Sequence, residues 1–198
     1  MDVLRQGWPA AVLEGRYIVQ VRLPRAGWFR NTLDFVDVMD TPDWIQEVVV
    51  DGHAVLESRD RRSLRTIRQP RTVVLQLRAR RASRQPRKPL WQAVKDFVWG
   101  DHVHDVMDVR LGTYVGAVVV RSGRPPRDTW QLLDPDGRAV ASVSMTGGQS
   151  LVLDPTGTPL ARMSRNPVPR GRGLVVDVSG LAARVDPRLI LASTLMML

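Results

Sequence analysis

The segment from Asp186 to Leu198, DPRLILASTLMML, constrains the fold more than any other part of the chain. Asp186 is suited to accept a hydrogen bond from the first free amides of a helix. Pro187 stands at the first helical position, where its missing N–H costs nothing. After Arg188 no charged side chain appears, and large apolar residues occupy 189, 190, 191, 195, 196, 197 and 198. These cover every face of a helix, and a helix apolar all round is buried or embedded in lipid. About twelve residues rising ~1.5 Å each reach roughly 18 Å, short of the ~30 Å hydrocarbon core of a bilayer. The segment is therefore predicted to be a helix buried inside the protein, started by Asp186 and Pro187 and anchored by Leu189, Leu191 and Leu195. Seven large side chains at ~1.5–3 kcal/mol each would contribute about 10–20 kcal/mol gross. That matches or exceeds the net stability of a typical domain, so loss of the segment is expected to unfold the chain.

The rest of the sequence must supply apolar surroundings on all sides of that helix. Short β-rich runs dominate it: 17–23 (YIVQVRL), 32–39 (TLDFVDVM), 45–50 (IQEVVV), 53–57 (HAVLE), 72–77 (TVVLQL) and 114–120 (YVGAVVV). Asp51-Gly52 between two such runs is a strong hairpin signal. Residues 133–144 (LDPDGRAVASVS) repeat 20 positions later as 153–164 (LDPTGTPLARMS), with Leu, Asp, Pro, Gly, Ala and Ser coinciding. Asp134 and Asp154 start each turn, the prolines preset φ, and Gly137 and Gly157 supply the positive φ that releases the second strand. Asp177-Val178-Ser179-Gly180 is a weaker third copy. Such hairpins make an antiparallel meander, and their acids read as turn chemistry rather than calcium ligands, since no distal glutamate follows. A sheet closed around the helix satisfies it and removes sheet edges. The expected architecture is thus a mainly β, closed antiparallel barrel with the C-terminal helix through its centre. The expected organisation is one domain over 1–198, with repeat hairpins over 129–165 and a core helix over 186–198. One interruption is expected: 88–106 (KPLWQAVKDFVWGDHVHDV) has apolar residues at helical spacing, predicting an extra helix near 89–100 that Gly100 ends, followed by a polar loop.

The order Trp130-x-Leu132-x-Asp134-x-x-Gly137-x-x-x-Ala141, a second Asp154-x-x-Gly157-x-x-x-Ala161, a strand at 174–178 and then DPRLILA resembles the C-terminal half of LURP-one-related and phospholipid-scramblase-like proteins. These belong to the Tubby C-terminal-like superfamily. The likeness covers roughly 129–198. It implies a twelve-stranded barrel around a central hydrophobic helix, which agrees with the reading from the residues. It also implies a non-catalytic interaction module rather than an enzyme, in a superfamily where surface Lys and Arg bind phosphoinositide headgroups. The sequence departs from the scramblase-like pattern in having no cysteine cluster for acyl anchoring.

Charge gives the functional lead. The chain carries 29 Lys and Arg against 20 Asp and Glu, a formal net charge of +9. Only Lys88 and Lys95 are lysines, a skew that GC-rich codon usage alone would produce. The distribution is nevertheless uneven. Residues 59–88 hold Arg59, Arg61, Arg62, Arg65, Arg68, Arg71, Arg78, Arg80, Arg81, Arg84, Arg87 and Lys88 against the single acid Asp60. A run of this density projects a positive field toward an anionic partner. An anionic phospholipid or phosphoinositide surface is the expected partner, with nonspecific nucleic-acid binding as the alternative and a protein partner left open. The run holds no aromatic residue, so base stacking is not expected and any nucleic-acid contact would be salt-sensitive.

No catalytic motif stands out. The chain has no cysteine, which excludes thiol nucleophiles, disulfides and Cys-ligated metals. No G-x-S-x-G, H-E-x-x-H or P-loop pattern occurs. His102-Val103-His104, flanked by Asp101, Asp105 and Asp108, is the one cluster with metal-ligand residue types, and it would support an enzyme built around His102, His104 and Asp105. The i, i+2 histidines share a face only on a strand. No cofactor is expected. The opening MDVLRQGWPAAVLEG lacks a secretory pattern, and no run reaches ~18 apolar residues. A cytoplasmic protein with peripheral membrane association is the expectation.

Overall fold

A computed structural model describes residues 8–22, 45–61, 64–69, 72–80, 101–121, 129–146, 149–166, 173–180 and 185–198. Its elements are α1 (Ala10–Glu14), β1 (Arg16–Arg22), β2 (Ile45–Val50), β3 (His53–Arg61), β4 (Leu64–Gln69), β5 (Thr72–Ala79), β6 (Asp101–Asp108), β7 (Thr113–Arg121), β8 (Thr129–Leu133), β9 (Ala139–Thr146), β10 (Gln149–Leu153), β11 (Pro159–Asn166), β12 (Gly173–Asp177) and α2 (Pro187–Met197). Each strand pairs antiparallel with the next, and β1 closes on β12 through Tyr17↔Val176 and Val19↔Leu174. The expected mainly β architecture, a closed twelve-stranded antiparallel barrel with a helix at the C-terminus, is what forms.

Alternation along the strands sets the inside. Tyr17, Val19, Val48, Leu56, Ile67, Leu75, Leu77, Val106, Val118, Leu132, Val152, Met163 and Val176 are all buried and form one core with α2. The α2 residues from Arg188 to Leu195 are buried without a break. Their contacts come from all around the barrel: β2 and β4 reach Leu195, β6 reaches Arg188, β11 meets Thr194, and β7 and β8 pack alongside. The helix therefore occupies the lumen. Its start follows the sequence, because Asp186 accepts the Arg188 amide at 2.9 Å and Pro187 opens the first turn.

The repeated turns share one geometry. The Gly137 amide donates to Asp134 O, and the Gly157 amide to Asp154 O, each at 2.9 Å. Gly137 and Gly157 have φ of 81° and 86°, and strand register shifts one residue before each turn. That is a bulged hairpin whose left-handed position glycine fills without strain. The Asp134 carboxylate accepts the Arg138 amide, and the Asp154 carboxylate the Thr156 and Thr158 amides. These oxygens complete the turns.

Three elements differ from expectation or were not foreseen. β6 is a strand where a polar loop was expected, and its inward row holds His102, His104, Val106 and Asp108 in register with Ala79, Leu77 and Leu75. Polar residues on an inward face hid the strand. β4 was not foreseen, because Arg65 and Arg68 interrupt its apolar residues. α1 is a five-residue turn of helix that buries Val12. The expected strand at 32–39 and the expected helix near 89–100 lie outside the described residues.

Tyr17 sits in the core at 1% exposure, and its hydroxyl makes no hydrogen bond of normal geometry among the described residues. The nearby Thr194 hydroxyl donates its proton to Ile190 O at 2.8 Å. Burial pushes the phenol pKa well above its ordinary value, with Thr194 offsetting part of the rise. An unpaired buried hydroxyl carries a desolvation cost of about 1–3 kcal/mol. Tyr17→Phe is therefore expected to leave stability unchanged or raise it by up to about 1 kcal/mol in urea melts. A loss beyond about 1 kcal/mol would show that the hydroxyl has a partner in solution.

Candidate functional site

The antiparallel order gives the barrel two unlike rims. At the rim where α2 enters, Asp51-Gly52 and the turns over 109–112, 134–138 and 154–158 join strands, β4 ends and β5 begins, and the chain leaves β12. At the opposite rim, where α2 ends, β1, β3, β5, β7, β9 and β11 end and the strands that follow them begin. The basic run therefore reaches this second rim twice, at the end of β3 and at the end of β5.

The structure divides the run. Arg62, Arg71, Arg81, Arg84, Arg87 and Lys88 lie outside the described residues. Arg59 and Arg61 are placed by backbone register, opposite Thr66 and Leu64. Arg68, Arg78 and Arg80 are exposed. Arg78 stands in register with Asp105 of β6, and the Arg80 guanidinium forks onto the same carboxylate, with Nε to Oδ2 at 3.2 Å. Tyr114 donates to Asp105 Oδ1 at 3.0 Å. Burial raises the Asp105 pKa, but Arg80 and Tyr114 outweigh it and hold the carboxyl below its ordinary range. Asp105 thus stays ionised and offsets one of the two arginines.

Arg65 is employed differently. It pairs with Leu77 and shares a face with Ile67, so it points into the barrel. Its Nη1 donates to Gln46 Oε1 at 3.2 Å and to the Leu195 carbonyl, which Gln46 Nε2 also reaches at 2.9 Å. The last carbonyls of a helix have no intrahelical donors and carry partial negative charge. Arg65 and Gln46 cap α2 there, so the expectation that Arg65 faces an external anion gives way to a structural role.

The rim where α2 enters holds a buried ion network. Asp108, fully buried, accepts Arg188 Nη1 at 2.7 Å, Trp8 Nε1 at 3.2 Å and the amides of Arg110 and Leu111 at 3.0 and 3.1 Å. Arg188 Nε donates to Asp186 at 2.9 Å. Burial raises the Asp108 pKa, yet the Leu111 amide, Arg188 and Trp8 together hold it below the ordinary carboxylate range. A cleft of about 220 Å³ lies beside the network, lined by Tyr114, Val115, Asp134, Pro135, Val140, Asp186, Arg188 and Leu189. Its cation, Arg188, is already bound to two carboxylates. Sequence reasoning passed over Asp108 and Trp8 as partners of α2. The signal was Arg188 itself, a lone charge in an otherwise apolar helix, which burial would oblige to find a carboxylate.

The histidine cluster is divided between two faces. His102 and His104 share the inward row of β6, in register with Val120 and Val118. Asp105 lies on the outward row with Arg80, and Asp108 is held by Arg188 toward the other end of the strand. The constellation His102, His104 and Asp105 therefore does not converge. Among the described residues no three His, Asp or Glu side chains are grouped to hold a metal ion.

No family model matches the chain, and no curated protein matches it. Among solved structures, the X-ray structure of a protein from Arabidopsis thaliana, AT5G01750, is similar to it at 11% identity and a TM-score of 0.49. The likeness covers 96% of this chain and 94% of that one.

Proposed function

We propose that the chain is a non-catalytic binding module of the Tubby-like, scramblase-related kind, whose basic rim takes anionic phospholipid headgroups at a membrane surface. The observation that carries this reading is the exposure of Arg78 and Arg80 at the end of β5. The chain runs from there into the connection that contains Arg81, Arg84, Arg87 and Lys88. The proposed contact is peripheral, made by the arginine side chains; no described helix is long and apolar enough to cross a membrane. Each surface arginine near an anionic leaflet contributes roughly 1 kcal/mol.

Liposome co-sedimentation near physiological salt tests it. Wild type should sediment with vesicles containing anionic lipid or phosphoinositide and not with neutral vesicles. A variant with Arg78, Arg80, Arg81 and Arg84 changed to Ser should bind about a hundredfold more weakly, and raised salt should weaken wild type as well. Absence of binding to anionic vesicles, or equal binding by wild type and variant, would overturn the proposal. A parallel titration with duplex DNA separates the alternative, which would show a steep salt slope without vesicle binding.

A further inference from the structure

We infer that Arg110, in the turn between β6 and β7, is the centre of a second site that takes a small carboxylate or phosphate. The reasoning starts from its donors. Arg110 Nε and Nη2 are buried and have no hydrogen-bond partner among the described residues. These two nitrogens form one edge of the guanidinium, with two parallel N–H groups whose spacing matches the oxygens of a single carboxylate or phosphate. A guanidinium has donors only, so each N–H that is buried needs an acceptor. Its orphan edge therefore bears a desolvation cost that an oxyanion would remove.

The surroundings hold the group in place without satisfying that edge. The Arg110 amide donates to Asp108 Oδ1 at 3.0 Å, which anchors the backbone. The guanidinium carbon lies 5.5 Å from the centre of the Trp8 ring, so a cation–π contact covers a face of the group. Trp8 is fixed in turn by its own bond to Asp108. The Asp108 oxygens are engaged by Arg188, Trp8 and two backbone amides, so this carboxylate does not serve the Arg110 edge. The residue as a whole is part-exposed, while the two nitrogens of the edge are buried, so an anion reaches them only as the turn gives way slightly. The site lies at the rim where α2 enters, opposite the rim proposed to meet lipid, and it stands independently of that proposal.

The test is thermal unfolding at constant ionic strength in sodium chloride, acetate or phosphate, comparing wild type with Arg110→Lys. Lysine keeps the charge and stem but loses the fork. At an anion concentration about tenfold above Kd, wild type should gain roughly 3–5 °C over chloride, and Arg110→Lys should show only the general effect of the salt. Acetate and phosphate are separate arms and separate the two ligand classes. A second readout does not depend on the variant's stability. In ¹⁵N-arginine-labelled wild type, the Arg110 Nε–H cross-peak, assigned by its loss in Arg110→Lys, should shift in a saturable way with the anion. Equal gains in both proteins, or a cross-peak that does not move with either anion, would overturn the inference.

Discussion

Asp108→Ala lowers the free energy of unfolding by about 3–5 kcal/mol, because it leaves the Arg188 charge in the core without its inner partner. The two side chains are 0% and 5% exposed, and their contact is 2.7 Å. Trp8 Nε1 and the Arg110 and Leu111 amides lose their acceptor in the same substitution. Removing both charges is a different experiment. In Asp108→Leu/Arg188→Met neither ion of the pair remains, so the double variant should recover most of the loss. A residue of about 1 kcal/mol would reflect the unpaired Trp8 and backbone donors. Urea melts of the two single variants and the double variant measure the coupling. A double variant as unstable as Asp108→Ala would show that the backbone and Trp8 contacts, rather than the ion pair, hold this end of α2. The pair also sets an acid limit. The Asp108 pKa is depressed in the folded state. Its contribution is therefore fully present above the unfolded value of ~3.9 and is lost as pH falls through the lower folded value. Wild type should lose more stability below about pH 4 than Asp108→Leu/Arg188→Met does.

What the sequence made legible and what it hid follow from where polar residues point. The helix and the bulged hairpins were readable because each depends on local chemistry: Asp186 and Pro187 at a helix start, and Asp and Gly at fixed turn positions. The barrel followed from one non-local constraint, a helix with no polar face. β4 and β6 were hidden because alternation identifies a strand only when the inward row is apolar. Arg65 sits inward on β4, and His102, His104 and Asp108 sit inward on β6. The interior tolerates Arg65 and Asp108 because the helix termini offer partners: a carbonyl at Leu195 and a guanidinium at Arg188. Those partners are 130 and 80 residues away in sequence. No window of sequence contains both members. The basic run was legible as charge but not as a surface, since composition cannot separate Arg65, turned to the lumen, from Arg78, turned outward. The one signal available was period two: Arg65 shares its parity with Ile67, a core residue, and Arg78 does not share its parity with Leu77.

Truncation after Val185 is expected to abolish cooperative folding outright. α2 is a large part of the core rather than a cover on it. Leu189, Ile190, Leu191 and Leu195 are each no more than 1% exposed. At ~1.5–3 kcal/mol per side chain these four alone contribute about 6–12 kcal/mol gross, against a net stability of about 5–15 kcal/mol for a domain. The inward rows of β1, β2, β4, β6 and β11 would then line an empty lumen, and Arg65, Gln46 and Asp108 would each lose a partner inside it. Twelve strands in sequence order give the barrel continuous backbone pairing, so hydrogen bonding within the sheet alone favours closure. That contribution is small for each bond, about 0.5–1.5 kcal/mol net, and the pairing can be exchanged for water or for a neighbouring chain. The truncated chain should therefore lose its dispersed amide spectrum, bind a hydrophobic dye and aggregate. Leu191→Ala, which keeps the helix and opens a cavity, separates the central packing from the mere presence of a tail. It should cost about 2–5 kcal/mol while the barrel still melts in one transition. A truncated chain that kept a cooperative melt would mean that strand pairing, not the helix, sustains the barrel.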